Sequence, residues 1–344
     1  DETGFDALRS EWNALLWRSR FDTIFLTWEW QRTWWQRLGV QRGPLYLLAA
    51  HEGERLVGIL PLYDADEEGT RVLHVVGCTE VSDYLDLIIE AGQEEGVYAA
   101  FLGWLAGPDA PHWDVVDLCN QPAVSLAHTR LAEMARAAGY SVTVRQEDVC
   151  PIITLPTDGN TGESDESGWD QYLSTLDKKE RHEIRRKLRR IERDAPDAQV
   201  RYVGQPGAHL AADMDTFIRL HRNSRSDKHA FMTPEMQTYF RAIAEVLAEC
   251  GWLQLSFLEI EGEAVATYFC FDYNNQILVY NSGYDPAAVP QLSPGWVLLS
   301  QLIQHAIALG RSHFDFLQGD EDYKHRFGGV DTPVYTTLIE RAAA

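Results

Sequence analysis

The residues with the clearest chemical potential lie near the carboxyl end, in the stretch HFDFLQGDEDYKHRFGG at 313–329. Asp315 stands inside an apolar run typical of a strand, and Tyr323, Lys324 and Arg326 follow it. A buried carboxylate is costly unless it is paired, and burial raises its pKa, which suits a proton acceptor. The phenol could donate a proton and the two cations could stabilise negative charge. The alternative is structural, with Asp315 in an ion pair with a nearby cation.

A second set of candidates lies on a strongly basic helix predicted over Lys178–Arg193. This segment has nine Lys and Arg against three Glu, whereas the whole chain has a net charge of −22. Arg185 and Arg186 suit a phosphate-bearing ligand, because guanidinium groups bind phosphates bidentately. A solvated helix paired with the acidic remainder is the first alternative. A calmodulin-type or membrane-surface helix is the second.

The loop QLSPGW, Gln291–Trp296, joins a predicted strand to a predicted helix. Pro294 suits the first helical position, and the free amides of a helix start favour a phosphate. We therefore predict a phosphate-binding loop, with a simple turn as the alternative. Its predicted binding residues are Gln291, Leu292, Ser293, Gly295 and Trp296.

Further polar residues stand where binding groups are common, in loops and at strand ends. Asp83 and Tyr84 begin a predicted strand. Lys228 lies between two predicted helices, and Tyr284 follows another strand. Each of these could also be an ordinary surface residue. The predicted substrate-binding residues are Asp83, Tyr84, Arg185, Arg186, Lys228 and Tyr284.

The elements that must position these residues fall into two similar halves. Each half is predicted to begin with helices and to continue with two strands around an acid-Gly-Glu turn. Gly53-Glu54 and Gly262-Glu263 mark the two turns. In the second half a helix over Trp296–Leu309 precedes the strand that carries Asp315. We predict a mixed α/β (α+β) fold of two tandem modules, each a mixed central sheet flanked by helices.

One stretch divides the halves. PTDGNTGESDESG, at 156–168, contains no large apolar residue and is rich in Gly, Ser, Thr and acids, which is typical of a linker. We predict an N-terminal module over 1–155, a linker over 156–168 and a C-terminal module over 169–344.

Composition narrows the classes of function. The net charge of −22 disfavours general binding to nucleic acid or anionic membranes, and no apolar run has the ~20 residues of a membrane span. Five scattered cysteines, without a CxxC or Cys/His motif, predict no disulfide framework and no metal site. A reducing cytoplasm is the expected location.

Several motifs carry a resemblance to a known family. They include EWNALL, FLTWEWQRTWW, LVGILPLY, SDYLDLII, EIRRKLRRIER, SPGWVL and FDFLQGDEDYKHRFG, which together extend over nearly the whole chain. The sequence resembles the GNAT acyltransferases in tandem, and among them the bacterial CelD-type N-acetyltransferases associated with cellulose biosynthesis. The closing YKHRFGG is also similar to an element of the Fem-type peptidoglycan aminoacyltransferases.

The resemblance implies transfer of an acyl group from acetyl-CoA, or another acyl-CoA, to an amine. The loop Gln291–Trp296 would hold the donor's pyrophosphate, although QLSPGW departs from the usual Q/RxxGxG/A pattern. Asp315 would be the base or the anchor of the amine, and Tyr323 would protonate the leaving thiolate. Lys324 and Arg326 would stabilise charge.

The resemblance leaves the acceptor open. It would be a small-molecule, glycan or peptide amine, with a link to polysaccharide or cell-envelope metabolism. One alternative is a Fem-like aminoacyltransferase whose donor is aminoacyl-tRNA, gripped by the basic helix. Another is a binding module of this fold without catalytic activity.

Overall fold

The computed structural model describes residues 3–78, 81–156 and 167–341, and these form two compact units. The first unit contains the described residues up to Val149 together with those from Thr332 onward. The second unit is formed by the described residues of Cys150–Asp331.

These limits depart from the predicted modules at two places. The division lies at Val149, before the predicted linker, and most of that linker (157–166) is outside the described residues. The chain from Thr332 was predicted in the second module but lies in the first unit. The reason is strand pairing, because Val334–Glu340 pairs antiparallel with Val115–Pro122.

The first unit combines four helices and a mixed sheet in the described residues. Its helices are α1 (Thr3–Leu16), α2 (Trp28–Trp34), α3 (Glu94–Ala106) and α4 (Ala132–Ala137). Its strands are β1 (Leu45–Glu52), β2 (Arg55–Glu67), β3 (Thr70–Val75), β4 (Ile88–Ile89), β5 (Val115–Pro122), the first part of β6 (Ser141–Thr154) and most of β12 (Val330–Glu340).

The order of strands in this unit is β1-β2-β3-β5-β12-β6, and β4 pairs with β2. The β3–β5 pair is parallel, whereas β1–β2, β2–β3 and β5–β12 are antiparallel. Thr27, a residue type that often caps a helix, accepts a hydrogen bond from the Trp30 amide at the start of α2. Trp30 and Trp34 of α2 are buried in the core.

The second unit has the same classes of element. Its helices are α5 (Gly168–Thr175), α6 (Lys178–Asp194), α7 (Leu210–Ser224), α8 (Ser226–Phe231), α9 (Pro234–Glu249), α10 (Pro294–Ala308) and α11 (Asp322–Arg326). Its strands are the end of β6 with β7 (Gln199–Val203), β8 (Leu253–Ile260), β9 (Glu263–Tyr273), β10 (Gln276–Tyr284) and β11 (His313–Asp315).

The strand order here is β6-β11-β10-β9-β8-β7. β10 and β11 are parallel, and α10 is the helical crossover between them, as parallel neighbours require. The basic helix α6 packs through one apolar stripe, because Ile184 and Ile191 are buried in the same cluster as Leu298 and Leu302 of α10. The predicted fold class, a mixed α/β fold with mixed sheets flanked by helices, is confirmed.

Two further findings bear on the composition. None of the helices in the described residues is long and apolar enough to cross a membrane. The prediction of no disulfide is wrong, because Cys78 and Cys119 form one. The two cysteines lie 41 residues apart and approach only through the sheet, so their spacing in the sequence gives no sign of the pairing.

The glycine at the end of β10 has a steric role. A Cβ atom on Gly283 would lie 2.5 Å from the Leu220 carbonyl carbon and also against the His221 backbone nitrogen. Only a residue without a side chain lets β10 and α7 approach this closely.

We therefore expect Gly283→Ala to lower the free energy of unfolding by about 1–3 kcal/mol through overpacking. Gly96→Ala in α3 is the matched control, because a Cβ there meets nothing within 4 Å. It should stabilise by about 0.5–1 kcal/mol, since alanine favours a helix interior. Urea unfolding of both variants measures the difference. Equal stabilities would contradict the steric role.

Candidate active site

A cavity of about 540 Å³ lies within the second unit. Four segments surround it: the start of α8, the end of β10, the start of α10 and the chain around α11. Its polar and aromatic lining residues are Arg225, Lys228, Tyr268, Ser282, Tyr284, Asp285, Ser293, Trp296, Glu321 and Tyr323. A concave volume with a few convergent polar groups is what a small-molecule site requires.

The Lys228 amine is the main cationic group of this cavity. Its Nζ donates hydrogen bonds to Ser282 O at 2.5 Å and to Ser282 Oγ at 3.2 Å. Burial, and then the nearby Arg225 guanidinium, lower the pKa of Lys228 to about 8. The amine therefore gains or loses its proton close to neutral pH, which an ordinary lysine does not do.

Three tyrosines line the same cavity, and two of them, Tyr268 and Tyr323, have raised pKa values. The Tyr268 hydroxyl lies 3.5 Å from Gly295 O, and Tyr323 packs edge-on against Phe316. Burial raises the pKa of Tyr268 and of Tyr323. Both hydroxyls thus keep their protons at neutral pH and can act as hydrogen-bond or proton donors.

The start of α10 forms the next part of the wall, but it offers few free amides. Ser293 adopts a left-handed conformation (φ 53°), and its carbonyl accepts from the Trp296 and Val297 amides. Pro294 has no amide, so Gly295 is the loop's candidate backbone donor to a ligand. The predicted loop residues Ser293, Gly295 and Trp296 line the cavity, and Leu292 is buried in the hydrophobic core instead.

Cations from elsewhere in the second unit support this loop. Lys187 of α6 donates to Ser293 Oγ at 2.8 Å, and its Nζ lies 4.8 Å from the Trp296 ring centre. The Arg326 guanidinium lies 4.6 Å from the centre of the same ring. Burial lowers the pKa of Lys187. Trp296 is therefore held by two cation–π contacts.

Asp315 is buried on β11 and is not among the residues that line the cavity. One carboxylate oxygen accepts from the Leu317 amide at 2.7 Å. Leu317 has a positive φ (56°), which an L-residue with a side chain rarely adopts. The carboxylate thus stabilises the turn that follows the strand.

Lys324 is also buried, at 2% exposure, and its ammonium group bonds to atoms within the protein. Its Nζ contacts the carbonyl oxygens of Leu317 at 3.1 Å, Gln318 at 2.7 Å and Gly319 at 3.0 Å. It also forms an ion pair with Glu321 at 2.8 Å. These partners occupy the ammonium, so its geometry is that of a structural cation.

The remaining predicted residues lie apart from the cavity wall. Gln291 is exposed and is not a lining residue. Arg326 donates to Glu180 at 2.9 Å. Arg185 pairs with Asp170 at 3.0 Å, and Arg186 pairs with Glu183 through two hydrogen bonds.

Asp83 and Tyr84 belong to the first unit. Tyr84 is buried, and its ring packs edge-on against Phe21 with the centroids 5.2 Å apart. Of the six predicted substrate-binding residues, the cavity therefore contains Lys228 and Tyr284.

Sequence reasoning missed several lining residues. Tyr268 lies in the middle of β9, Ser282 near the end of β10, and Arg225 at the start of α8. Glu321 is one of three consecutive acids, at 320–322, just before Tyr323. A strand-end Ser and a residue before a short helix are common features, so no local signal distinguishes them. Only the tertiary structure brings them to the same cavity as Lys228.

Comparisons with known proteins concern the segment that contains this cavity and the fold of the chain. Residues 178–325 match the family model for an acetyltransferase (GNAT) domain. The comparison with curated proteins gave no match. The matched segment contains Lys228, the start of α10 and Tyr323. This segment, less than half of the chain, is thus similar to a GNAT-type acetyltransferase domain, while the CelD-type resemblance stays a prediction.

Solved structures share the fold over most of the chain. FemX is 10% identical with a TM-score of 0.65, covering 96% of this chain and 95% of FemX. A conserved protein of unknown function from Bacteroides thetaiotaomicron is 11% identical with a TM-score of 0.60, covering 97% of each chain. L-PGS from Bacillus licheniformis is 12% identical with a TM-score of 0.54, covering 90% of each. At these identities the likeness concerns the fold alone.

The surroundings of Lys324 predict a stability defect when its charge is removed. Lys324→Met leaves three buried carbonyls without their donor, so we expect a loss of about 3–5 kcal/mol in the free energy of unfolding. Lys179→Met is the matched control, because the Lys179 side chain is 87% exposed; it should change stability by less than about 0.5 kcal/mol. Urea unfolding of both proteins tests this. A Lys324→Met protein as stable as the control would contradict the structural role.

Proposed function

We propose that this protein is an N-acyltransferase that moves an acyl group from an acyl-CoA donor to an amine in the cavity of its second unit. The observation that carries the proposal is the convergence of Lys228, Tyr323 and the start of α10 on one cavity, inside the segment that matches the GNAT family model. These groups supply a base, a proton donor and an anion-binding helix start.

In this proposal Lys228 is the general base. The neutral amine has two N–H bonds, which suit the two Ser282 oxygens, and one lone pair that is free to accept a proton. The acceptor's ammonium group gives a proton to this lone pair and becomes nucleophilic. Its nitrogen then attacks the thioester carbonyl carbon.

Tyr323 completes the transfer. As the new C–N bond forms and the C–S bond breaks, the departing thiolate takes the proton of the Tyr323 hydroxyl. The tyrosinate then takes the second proton that the amide nitrogen must lose, and Lys228 releases its proton to solvent. Burial raises the pKa of that hydroxyl, so it is protonated before each turnover. Asp315 and Lys324, which the sequence suggested for base and charge stabiliser, instead shape the turn that precedes Tyr323.

In this proposal, the loop at the start of α10 binds the acyl-CoA donor. The amide of Gly295 would contact a donor phosphate, and the Trp296 ring would form the adjacent wall of the site. Loops of this kind normally use several amides, and here Lys187 beside Ser293 adds positive charge at the same end. An amino group in polysaccharide or cell-envelope metabolism is the acceptor that the CelD-type resemblance favours.

A second candidate function is aminoacyl transfer from charged tRNA. One observation favours it: an open groove along α6 is lined by His182, Arg186, Arg189, Arg190 and Arg193. Such a cationic row suits a phosphate backbone. The donor test below separates the two candidates.

The pKa of Lys228 predicts the pH profile. A base works when deprotonated, so kcat/KM should rise with pH through about 8 and then level. Lys228→Met should lower kcat/KM by about 10²–10⁴. Lys228→Arg keeps the charge but cannot deprotonate, so it should lose activity equally. Coenzyme A release from acetyl-CoA, with glucosamine or lysine as acceptor, is the assay. An active Lys228→Arg enzyme with the wild-type pH profile would contradict the role.

The donor is tested by thermal unfolding. Acetyl-CoA at about 100 times its Kd should stabilise the fold by about 2.7 kcal/mol and raise Tm. S-acetylpantetheine, which lacks the diphosphate and nucleotide, is the matched ligand and should raise Tm less at the same concentration.

A flat response to acetyl-CoA and to longer acyl-CoAs would overturn the acyl-CoA proposal. Binding of total tRNA that weakens steeply with salt would then favour the aminoacyl-tRNA candidate. If neither acyl-CoA nor tRNA bound, the result would favour a binding module without catalysis.

A further inference from the structure

Four metal-ligand side chains meet on the sheet of the first unit. Ligand atoms of His74, Cys78 and Asp117 all lie within 4.8 Å of one another. Cys119 is bonded to Cys78 and so brings a second sulfur to the same place. The set of one imidazole, two sulfurs and one carboxylate is the kind that Zn²⁺ prefers in tetrahedral sites.

Strand register explains the cluster. β3 and β5 are parallel, and His74 is the direct partner of Asp117. Cys119 lies two residues after Asp117, so their side chains leave β5 on the same face. After β3 the chain turns back, with the Cys78 amide donating to Val75 O at 3.1 Å. Residues remote in sequence thus converge through the backbone geometry.

The His74 ring is oriented as a ligand would be. Its Nε2 lies 2.9 Å from Glu67 Oε1, and its Nδ1 lies 3.1 Å from Asp117 Oδ2. With Nε2–H donated to Glu67, Nδ1 is the nitrogen beside Asp117 that would exchange its proton for a metal ion. Metal-bound imidazoles typically donate their other N–H to a carboxylate in this way. Tyr63 stacks on the ring with a centroid distance of 5.2 Å.

Most of the cluster is also buried, and one of its carboxylate oxygens lacks a hydrogen-bond donor among the described residues. His74 is 8% exposed, Cys78 2% and Cys119 3%. Asp117 Oδ1 is buried without a hydrogen-bond partner among the described residues. A buried carboxylate oxygen without a donor is costly, and a cation would satisfy it.

We propose that the Cys78–Cys119 disulfide and a zinc site are two redox forms of this cluster. Reduction gives two thiols, and Zn²⁺ then binds through both sulfurs, His74 Nδ1 and an Asp117 carboxylate oxygen. The site is independent of the acyl-transfer cavity, and the loss of either would leave the other inference standing.

The chemistry balances with a two-electron reductant of the dithiol or phosphine class. With a phosphine, the S–S bond takes two electrons and the two protons of one water, and the phosphine takes the oxygen. Zn²⁺ then displaces both thiol protons to solvent. The sulfurs separate so that each lies about 2.3 Å from the metal, with the imidazole nitrogen at about 2.0 Å.

The experiment compares the full chain in its oxidised and phosphine-reduced forms. Each form is incubated with Zn²⁺ and desalted, and its zinc content is measured by atomic emission. The reduced form should retain about one zinc per chain and the oxidised form none. Co²⁺ added in place of zinc should give a thiolate charge-transfer band only in the reduced form.

Variants assign the ligands. Cys119→Ser and His74→Gln should lose the stoichiometric zinc, and Glu67→Ala should weaken zinc affinity by about 10- to 100-fold as an outer partner. His74→Gln keeps both cysteines, so it tests the site even if a cysteine variant fails to fold. The matched controls are Cys250→Ser, at a cysteine that is not in a disulfide, and His325→Gln from another His/Asp cluster. Both should retain zinc.

Two results would overturn the proposal. One is a reduced wild-type protein that retains no more zinc than the oxidised protein. The other is full zinc retention by His74→Gln and Cys119→Ser, or loss of zinc in a control variant, since either would place the metal elsewhere.

Discussion

The buried ammonium of Lys324 is the constraint on which the candidate active site depends. A charge at 2% exposure must be matched, and the carbonyls of residues 317–319 are its partners. Asp315 holds the same turn through the Leu317 amide. Together these contacts fix the chain between β11 and α11, which carries Tyr323 into the cavity. Lys324, which looked catalytic in the sequence, thus supports the segment that carries Tyr323, the proposed proton donor.

A second constraint acts on the opposite side of the cavity. Gly283 lets β10 approach α7, and the neighbouring Ser282 receives the Lys228 amine. The amine is desolvated there, and this lowers its pKa toward neutrality. Backbone approach, burial and proton affinity are therefore linked in one short segment. Contacts between distant residues also act at the start of α10, where Lys187 and Arg326 each form a cation–π contact with Trp296.

The sequence predicted the fold class and most helices and strands, because apolar periodicity and capping residues are local signals. Thr27 caps α2, for example, and the apolar residues Ile184 and Ile191 of α6 are buried. It also predicted Lys228, Tyr284, Tyr323 and the α10 loop as candidates. It could not separate them from Asp315 or Tyr84, because a residue's type does not reveal which way its strand or turn aims it.

By itself, then, the sequence determined a two-part α/β chain with an acyltransferase-like second half and a list of polar candidates. The tertiary structure decided which candidates share a cavity, and it moved the last strand into the first unit through pairing with β5. It also joined Cys78 to Cys119 and set both beside His74. The physical reason is that strand pairing and burial act between residues far apart in the chain, where local patterns carry no information.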